Sequence, residues 1–404
     1  MNILIITQYY WPENFRINEL SSELSKAGNK VTVLTGFPNY PGGKIYEDFK
    51  KNKSIYSYYK AIKIIRIPII PRGKNNITLF LNYLTFILSG SLLGPIKLCG
   101  YKFDLIFIFQ TSPIFVGIPS RVISLIKKCP QIIWVLDLWP HTISDLGVLT
   151  KKWQLSFIEK ISKYIYSKCD VILAQSKSIV KEIKKYKKNK VYYFPNWTES
   201  EFINSSNKLA KEIKIKKGIL TIIFAGNIGK AQDFPSIIKA VEYLIDKNFN
   251  KFRIITIGEG SKKEWLIKKI KERKLSKYFE IFDQYPLARI SSFLSHADAL
   301  LVSLANKKVF NITIPGKMQT YLSSGVPILG MLNGEGASVI KESNSGYVCP
   351  AGDYKGLAKL IIKMSYLNKE EKNKLGKNGI YFAKKEFNKS LLLNNLQKLL
   401  EEIN

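Results

Sequence analysis

Short apolar runs alternate with amphipathic stretches along most of the chain. Asn2–Thr7 is apolar and of a length that suits a buried strand. The loop QYYWPENF follows it. The segment RINELSSELSKAGNK then sets Ile17, Leu20 and Leu24 on one helical face and stops at Gly28. Val31–Thr35 is apolar again, and this β-α-β opening predicts a parallel sheet. Further strands are expected at Ile62–Ile67, Asp104–Phe109, Ile132–Leu136, Val171–Ala174 and Val191–Phe194, with helices over Ile114–Lys127, Trp153–Ser167 and Lys177–Lys185. Seven strands alternating with helices describe one doubly wound domain, residues 1–195. The polar stretch PNWTESEFINSSN interrupts the alternation and predicts a linker over 196–207. A second alternation occupies 208–385, with strands at Leu220–Ala225, Phe252–Ile257, Phe279–Phe282, Ala299–Ser303 and Pro327–Gly330. The tail from Tyr354 is helical in pattern, and residues 386–404 are expected to cross back onto the first domain. The fold class is therefore α/β, with two Rossmann-like doubly wound domains facing a central cleft.

One stretch departs from this rhythm. From Ile77 to Ile96 the chain runs ITLFLNYLTFILSGSLLGPI without a charge, long enough to cross a bilayer. Asn82, Thr85, Ser89, Gly90, Ser91, Gly94 and Pro95 interrupt it, and it lies between two expected strands of one sheet. A buried helix, a helix lying in the membrane interface and a true span all remain open.

In doubly wound sheets ligands bind beyond the C-terminal strand ends. Six loops there carry functional groups: YYWPENFR (9–16), GFPNY (36–40), DLWPHT (137–142), GNIGKAQ (226–232), the PGK turn (315–317) and GEGAS (334–338). The run ITIPGKMQTYLSSGVPIL predicts a loop, a helix starting near Pro315, a stop at Gly325 and a buried strand. Gly316 permits close approach to the backbone, the helix start offers free N–H groups, and Lys317 adds a full charge. That combination suits a nucleotide diphosphate. A complete GxGxxG after the first strand and the sequence GxxxxGK[ST] are both missing. His141 and His296 are the two histidines, and no DxD pair occurs, so no metal is expected.

Charge changes the expected surroundings. Lys and Arg number 63 against 31 Asp and Glu, a formal net charge of +32. The excess is mostly scattered lysine, which favours an anionic membrane surface over nucleic acid, and no nucleic-acid partner is expected. Cys99, Cys129, Cys169 and Cys349 are far apart and form no CxxC pair, which fits a reducing cytoplasm. The start MNILIITQYYWPENF lacks the basic n-region of a signal peptide.

The order of strand loops, the PNW segment, FAGNIGKAQ and GKMQTYLSSGVPIL together resemble glycosyltransferase family 4, retaining nucleotide-sugar-dependent enzymes of the GT-B fold. ITQYYWPENFRINEL, TGFPNYPGG and DLWP resemble the WbuB-like branch, L-fucosamine transferases of bacterial polysaccharide synthesis. The resemblance implies transfer of a sugar, N-acetyl-L-fucosamine in that branch, from a UDP-sugar donor to a polyprenyl-diphosphate-linked acceptor. It places the protein in O-antigen or capsule synthesis, peripherally on the cytoplasmic face of the cell membrane, with no metal or other cofactor. It assigns donor-binding roles to Gly226, Asn227, Gln232, Gly316, Thr320 and Glu335, and catalytic roles to Asp137, His141, Lys230 and Lys317. Glu13, Asn14, Arg16, Asn39 and Tyr40 fall on the acceptor side, with Trp11 and Trp139 able to stack on a sugar or pack in the core. Three departures stand out. The family's Arg and Lys after the first strand of the second domain are Asn227 and Gln232, with Lys230 between them. Its Glu-x7-Glu pair is Ile312 and Thr320. The branch's Glu after DLWP is His141. A sugar-nucleotide-binding protein without activity and a UDP-sugar epimerase of the same fold are the alternatives.

Overall fold

The computed structural model describes residues 1–404 apart from 74, 146–148, 150, 189, 200–208 and 404. The chain forms two compact units, Met1–Phe194 with Ser390–Asn404, and Pro195–Lys389.

The first unit is built on an eight-stranded sheet. Its strands are β1 (Asn2–Ile6), β2 (Lys30–Gly36), β3 (Tyr58–Tyr59), β4 (Ile62–Ile67), β5 (Leu105–Gln110), β6 (Gln131–Val135), β7 (Val171–Ala174) and β8 (Val191–Tyr193). They lie in the order β3-β4-β2-β1-β5-β6-β7-β8, and every pair but β3–β4 is parallel. Ile3–Ile6, Leu105–Phe109 and Ile132–Val135 are buried on both faces, as strands covered by helices on each side must be. The two-residue β3 is the strand that hydrophobic patterning does not show. The C-terminal helix Lys389–Glu401 belongs almost wholly to this unit, burying Leu392, Leu396 and Leu400 at four-residue spacing. Asn29 Nδ2 donates to Gln397 Oε1 at 2.9 Å.

The second unit holds β9 (Leu220–Ala225), β10 (Phe252–Ile257), β11 (Phe279–Phe282), β12 (Ala299–Ser303), β13 (Ile328–Met331) and β14 (Gly346–Cys349), ordered β11-β10-β9-β12-β13-β14 and parallel throughout. Alternate residues of β9 serve two cores. Leu220, Ile222 and Phe224 pack with the helices Phe234–Asp246 and Tyr354–Tyr366. Ile223 and Ala225 pack with Phe293, Tyr321 and Ile340 on the other face. The edge strand β14 is an addition to the expected five, since its half-buried GYVC sequence presents no apolar run.

Two expectations are corrected locally. The helix expected from Pro315 begins at Met318 and ends at Ser323, because Pro315–Lys317 form a tight turn closed by Met318 N–H to Pro315 O at 2.9 Å. Of the expected linker, 200–207 lie outside the described residues. Its described part is not a free connector: Trp197 is buried, and Thr198 Oγ1 donates to Gln319 O at 3.1 Å and shares a 2.7 Å bond with Ser323 Oγ.

Candidate functional site

Strand order reverses at β1/β5 in the first unit and at β9/β12 in the second. In doubly wound sheets such points are where loops diverge and ligands bind beyond the strand ends.

In the second unit, three glycines let two loops lie against each other. Gly226, after β9, has φ +136, and Gly258 and Gly260, after β10, have φ +147 and +153. A Cβ on Gly258 would sit 2.0 Å from Gly226 O, and one on Gly260 would sit 2.4 Å from Ile228 O, so neither position accepts a side chain. Gly226 N–H donates to Ile257 O, and Ile228 N–H to Glu259 O, at 2.9 and 2.8 Å. The turn Lys230–Gln232 sits over the reversal point: Ser303 Oγ at the end of β12 donates to Gln232 O at 2.6 Å, and Ala305 N–H donates to Ala231 O at 2.8 Å. Gln232 Oε1 accepts from Gly229 N–H at 3.0 Å, while Asn227 and Lys230 are exposed. Gln232 thus holds the loop's shape, and Lys230 presents its charge to solvent.

Lys317 is brought to Gly226. Its Nζ lies 3.3 Å from the centre of the Phe224 ring and 3.1 Å from where a Gly226 Cβ would be. The stem is partly exposed, but Nζ is buried and has no hydrogen-bond partner among the described residues. Burial alone holds its pKa well below that of a free lysine. Tyr321, one turn on, closes the arrangement by accepting from Ala225 N–H at 2.7 Å and donating to Ala225 O at 3.2 Å. Sequence reasoning missed Tyr321, whose apolar neighbours make it look like any core aromatic. Gly316 is exposed. Thr320 Oγ1 donates to Glu199 Oε2 at 3.1 Å, so a carboxylate from the chain's crossing into this unit stands beside Thr320. Glu335 lies in the first turn of the helix Gly334–Glu342, whose Gly336 backs onto Pro315: a Cβ there would lie 3.0 Å from Pro315 Cδ.

In the first unit, Glu13 is buried and holds two loops together. Its Oε1 accepts from Asn39 N–H and Tyr40 N–H, both at 2.7 Å, and its Oε2 accepts from Tyr10 N–H at 3.1 Å. Burial pushes its pKa up to about 7, and the three amides oppose that rise. Asn39, also buried, donates to Phe37 O at 2.9 Å and accepts from Arg72 N–H at 2.9 Å. The Arg72 guanidinium lies 5.3 Å from the centre of the Tyr40 ring. Asn14 is exposed, and Arg16 pairs with Glu19 at 3.4 Å. Trp11 packs against Tyr56 and Tyr59, and Trp139 is buried against Phe115, so both tryptophans go to packing rather than to an open platform.

Asp137 Oδ2 accepts from Ser112 Oγ at 2.8 Å, and Ser112 Oγ in turn accepts from Trp139 Nε1 at 3.2 Å. Burial raises the Asp137 pKa, against the Ser112 bond. His141 opens the short helix His141–Asp145, with Nδ1 buried and without a partner among the described residues. Ser112, on the loop after β5, is a further polar group that single-sequence reading passed over.

Residues 205–381 match the family model described as glycosyl transferases group 1. The second unit is thus similar to the group 1 glycosyl transferases. Over 343 residues the chain is 23% identical to WcaI of Escherichia coli K12, a glycosyl transferase named for colanic acid biosynthesis, covering 80% of this chain and 82% of the relative. Among solved structures, sucrose-phosphate synthase from Thermosynechococcus elongatus superposes with a TM-score of 0.76 at 14% identity, covering 99% of this chain and 98% of the other. Anabaena HepE, solved in complex with UDP and glucose, gives 0.69 at 10% identity, with 99% of each chain covered. These likenesses fix the fold as GT-B, two Rossmann-like domains. The group 1 match takes in the Gly226 loop, Lys230, the Pro315–Lys317 turn and Glu335.

Proposed function

We propose that the protein is a retaining glycosyltransferase that moves a sugar from a UDP-linked donor to a polyprenyl-diphosphate-linked glycan in bacterial surface polysaccharide synthesis, at the cytoplasmic face of the membrane. N-acetyl-L-fucosamine is the sugar proposed from the WbuB-like motifs. The relative's role in colanic acid synthesis and the UDP bound to HepE support this class of donor and product. The observation that carries the reading is Lys317: a buried amine without a hydrogen-bond partner among the described residues, beside the glycine loop of the unit that matches the group 1 model.

The departing diphosphate must be stabilised electrostatically, and such preorganised charge is usually the largest catalytic term. Lys230 supplies an exposed cation. Burial disfavours the charged form of Lys317, and an anion beside it would supply the acceptor that favours that form. No metal is required in this scheme. Glu199, beside Thr320, stands in for the family's missing ribose carboxylate. In the retaining scheme the leaving phosphate oxygen takes the acceptor hydroxyl's proton on the face it vacates. No protein base is then needed, and Asp137 and His141 orient sugar or phosphate.

The test incubates purified protein with labelled UDP-sugars and a lipid-linked acceptor, with and without EDTA. Turnover in EDTA is expected. Loss of turnover restored by Mg²⁺ or Mn²⁺ would sink the metal-free scheme. Tight donor binding without turnover would favour a binding protein, and interconversion of free UDP-sugars an epimerase.

A further inference from the structure

The uncharged stretch forms a single helix, Asn76–Lys97, with two different apolar faces. One faces the protein. Phe86 is buried, Gly90 and Gly94 admit Pro119 and Ile123 of the neighbouring helix Gly117–Lys127, and Asn82 is fully buried. Asn82 Oδ1 accepts from Gln8 Nε2 at 2.6 Å and Tyr9 OH at 3.2 Å, and its Nδ2 donates to Ile70 O at 2.6 Å. The other face is open. Ile77, Phe80, Leu84, Leu88, Leu92 and Ile96 recur at helical spacing and are exposed, with Ile77, Leu92 and Ile96 at 72%, 66% and 69%. By length and composition the helix could cross a membrane, yet its inner face is committed to the sheet and to the adjacent helix. A span would need lipid on all sides. A helix lying flat needs it on one.

The charge around the stripe selects the partner. From residue 49 to 136 the sequence has 13 Lys and Arg and one acidic residue, Asp104, whose carboxylate accepts from Asn2 N–H. Lys127 Nζ donates to Leu98 O at 2.6 Å and Tyr101 O at 2.9 Å, which sets exposed Leu125 and Ile126 beside the end of the apolar helix. An apolar stripe within so basic a stretch of chain matches an anionic phospholipid surface, where acyl chains take the stripe and headgroups take cations.

We infer that Asn76–Lys97 is an in-plane membrane seat, sunk to half its thickness in one leaflet of anionic lipid, which ties the loop following β1 to the bilayer through Asn82. The inference rests on the proposed membrane location for the partner's identity, and its test uses lipid without donor, acceptor or turnover. The full chain is floated with vesicles of phosphatidylglycerol and phosphatidylethanolamine, and with phosphatidylcholine alone. Binding to the anionic vesicles at least ten times stronger than to the neutral ones is expected, with release by alkaline carbonate. Leu84→Glu/Leu88→Glu should lower the anionic binding tenfold or more, while near-UV circular dichroism and UDP binding stay as in the wild type. A second measurement avoids buried-charge artefacts: an environment-sensitive dye on Leu88→Cys, with Cys99→Ser, should shift to the blue on adding vesicles. Wild-type binding by a folded double-glutamate variant, or an unshifted dye, would overturn the inference. So would extraction by detergent alone, which marks a span, or a lipid-free dimer that the glutamates dissociate without changing vesicle binding. Vesicle binding without any glycosyl transfer would fail the enzymatic reading and leave the seat standing.

Discussion

Each unit buries an ionisable side chain at the mouth of its sheet, and the two are treated in opposite ways. Glu13 in the first unit is ringed by three backbone amides that use both of its oxygens. Lys317 in the second unit has an aromatic face beneath it and, among the described residues, no hydrogen-bond acceptor. A buried ionisable group with all its bonds made is a brace, and removing it strands its partners. A buried amine with none made is held at a cost, and the fold gains nothing from it. Position at a strand end therefore does not by itself identify chemistry. The state of the partners separates a brace from the amine proposed to meet the donor.

The largest effect should come from breaking the brace. Glu13→Ala leaves three amides without an acceptor, at about 1–3 kcal/mol each when buried, so a loss of roughly 3 kcal/mol or more is expected in urea unfolding. A loss under about 1 kcal/mol would mean that water replaces the carboxylate and the brace is not one.

The pH dependence of stability sharpens the contrast, because the two groups pull in opposite directions. Glu13 has a folded pKa near 7, raised from 4.5, so the folded state holds the proton more tightly. Its contribution is fully present below pH 4.5 and is lost as pH rises through 7, by up to about 3 kcal/mol on linkage. Lys317 is depressed from 10.5, so in the window below that value the unfolded state binds the extra proton and stability rises with pH. Unfolding curves of Glu13→Gln and Lys317→Met, each subtracted from wild type, should give slopes of opposite sign. Slopes of the same sign would break the comparison.

Lys317→Ala should lower kcat/KM roughly 10- to 100-fold, about 1.4–2.7 kcal/mol, since part of the phosphate contact strengthens as the sugar leaves. Its melting temperature should hold or rise. Normal kinetics with a lowered melting temperature would make Lys317 a core residue. Smaller still, Glu199→Gln should weaken donor binding about tenfold, in line with a lost bond to a charged group. Thr320→Ala, which removes only the bond to Glu199, should change it less than about threefold.

The contrast between the braced carboxylate and the unbraced amine was invisible in the one-dimensional pattern, although the fold was legible there. β7, β9, β10 and β12 fall at the residues expected from their apolar runs, because strands buried on both faces leave a continuous hydrophobic signature. β3 and β14 are short or half-exposed edges and leave none. The site loops were legible as places, since strand ends and glycines mark them. Roles were not. Glu13 and Asp137 are both acidic residues in loops, and what differs is a count of amides that only folding assembles. Glu199 lies 121 positions from Thr320, a separation no local pattern bridges. The apolar helix was ambiguous for a related reason: both of its faces are apolar, so periodicity could not tell the side meeting Pro119 from the side left open.

The return of the C-terminal helix to the first unit has a consequence for how the protein is made. Residues 195–389 are a continuous insertion between β8 and the last segment of the unit that precedes them. On a ribosome the second unit is complete while the first still lacks Leu392, Leu396 and Leu400, which cover its surface near Asn29. The unit translated first is thus finished last, and a nascent chain carries that uncovered patch through the synthesis of nearly two hundred further residues. A tag or premature stop at the far C-terminus reaches the oldest part of the chain, not the newest.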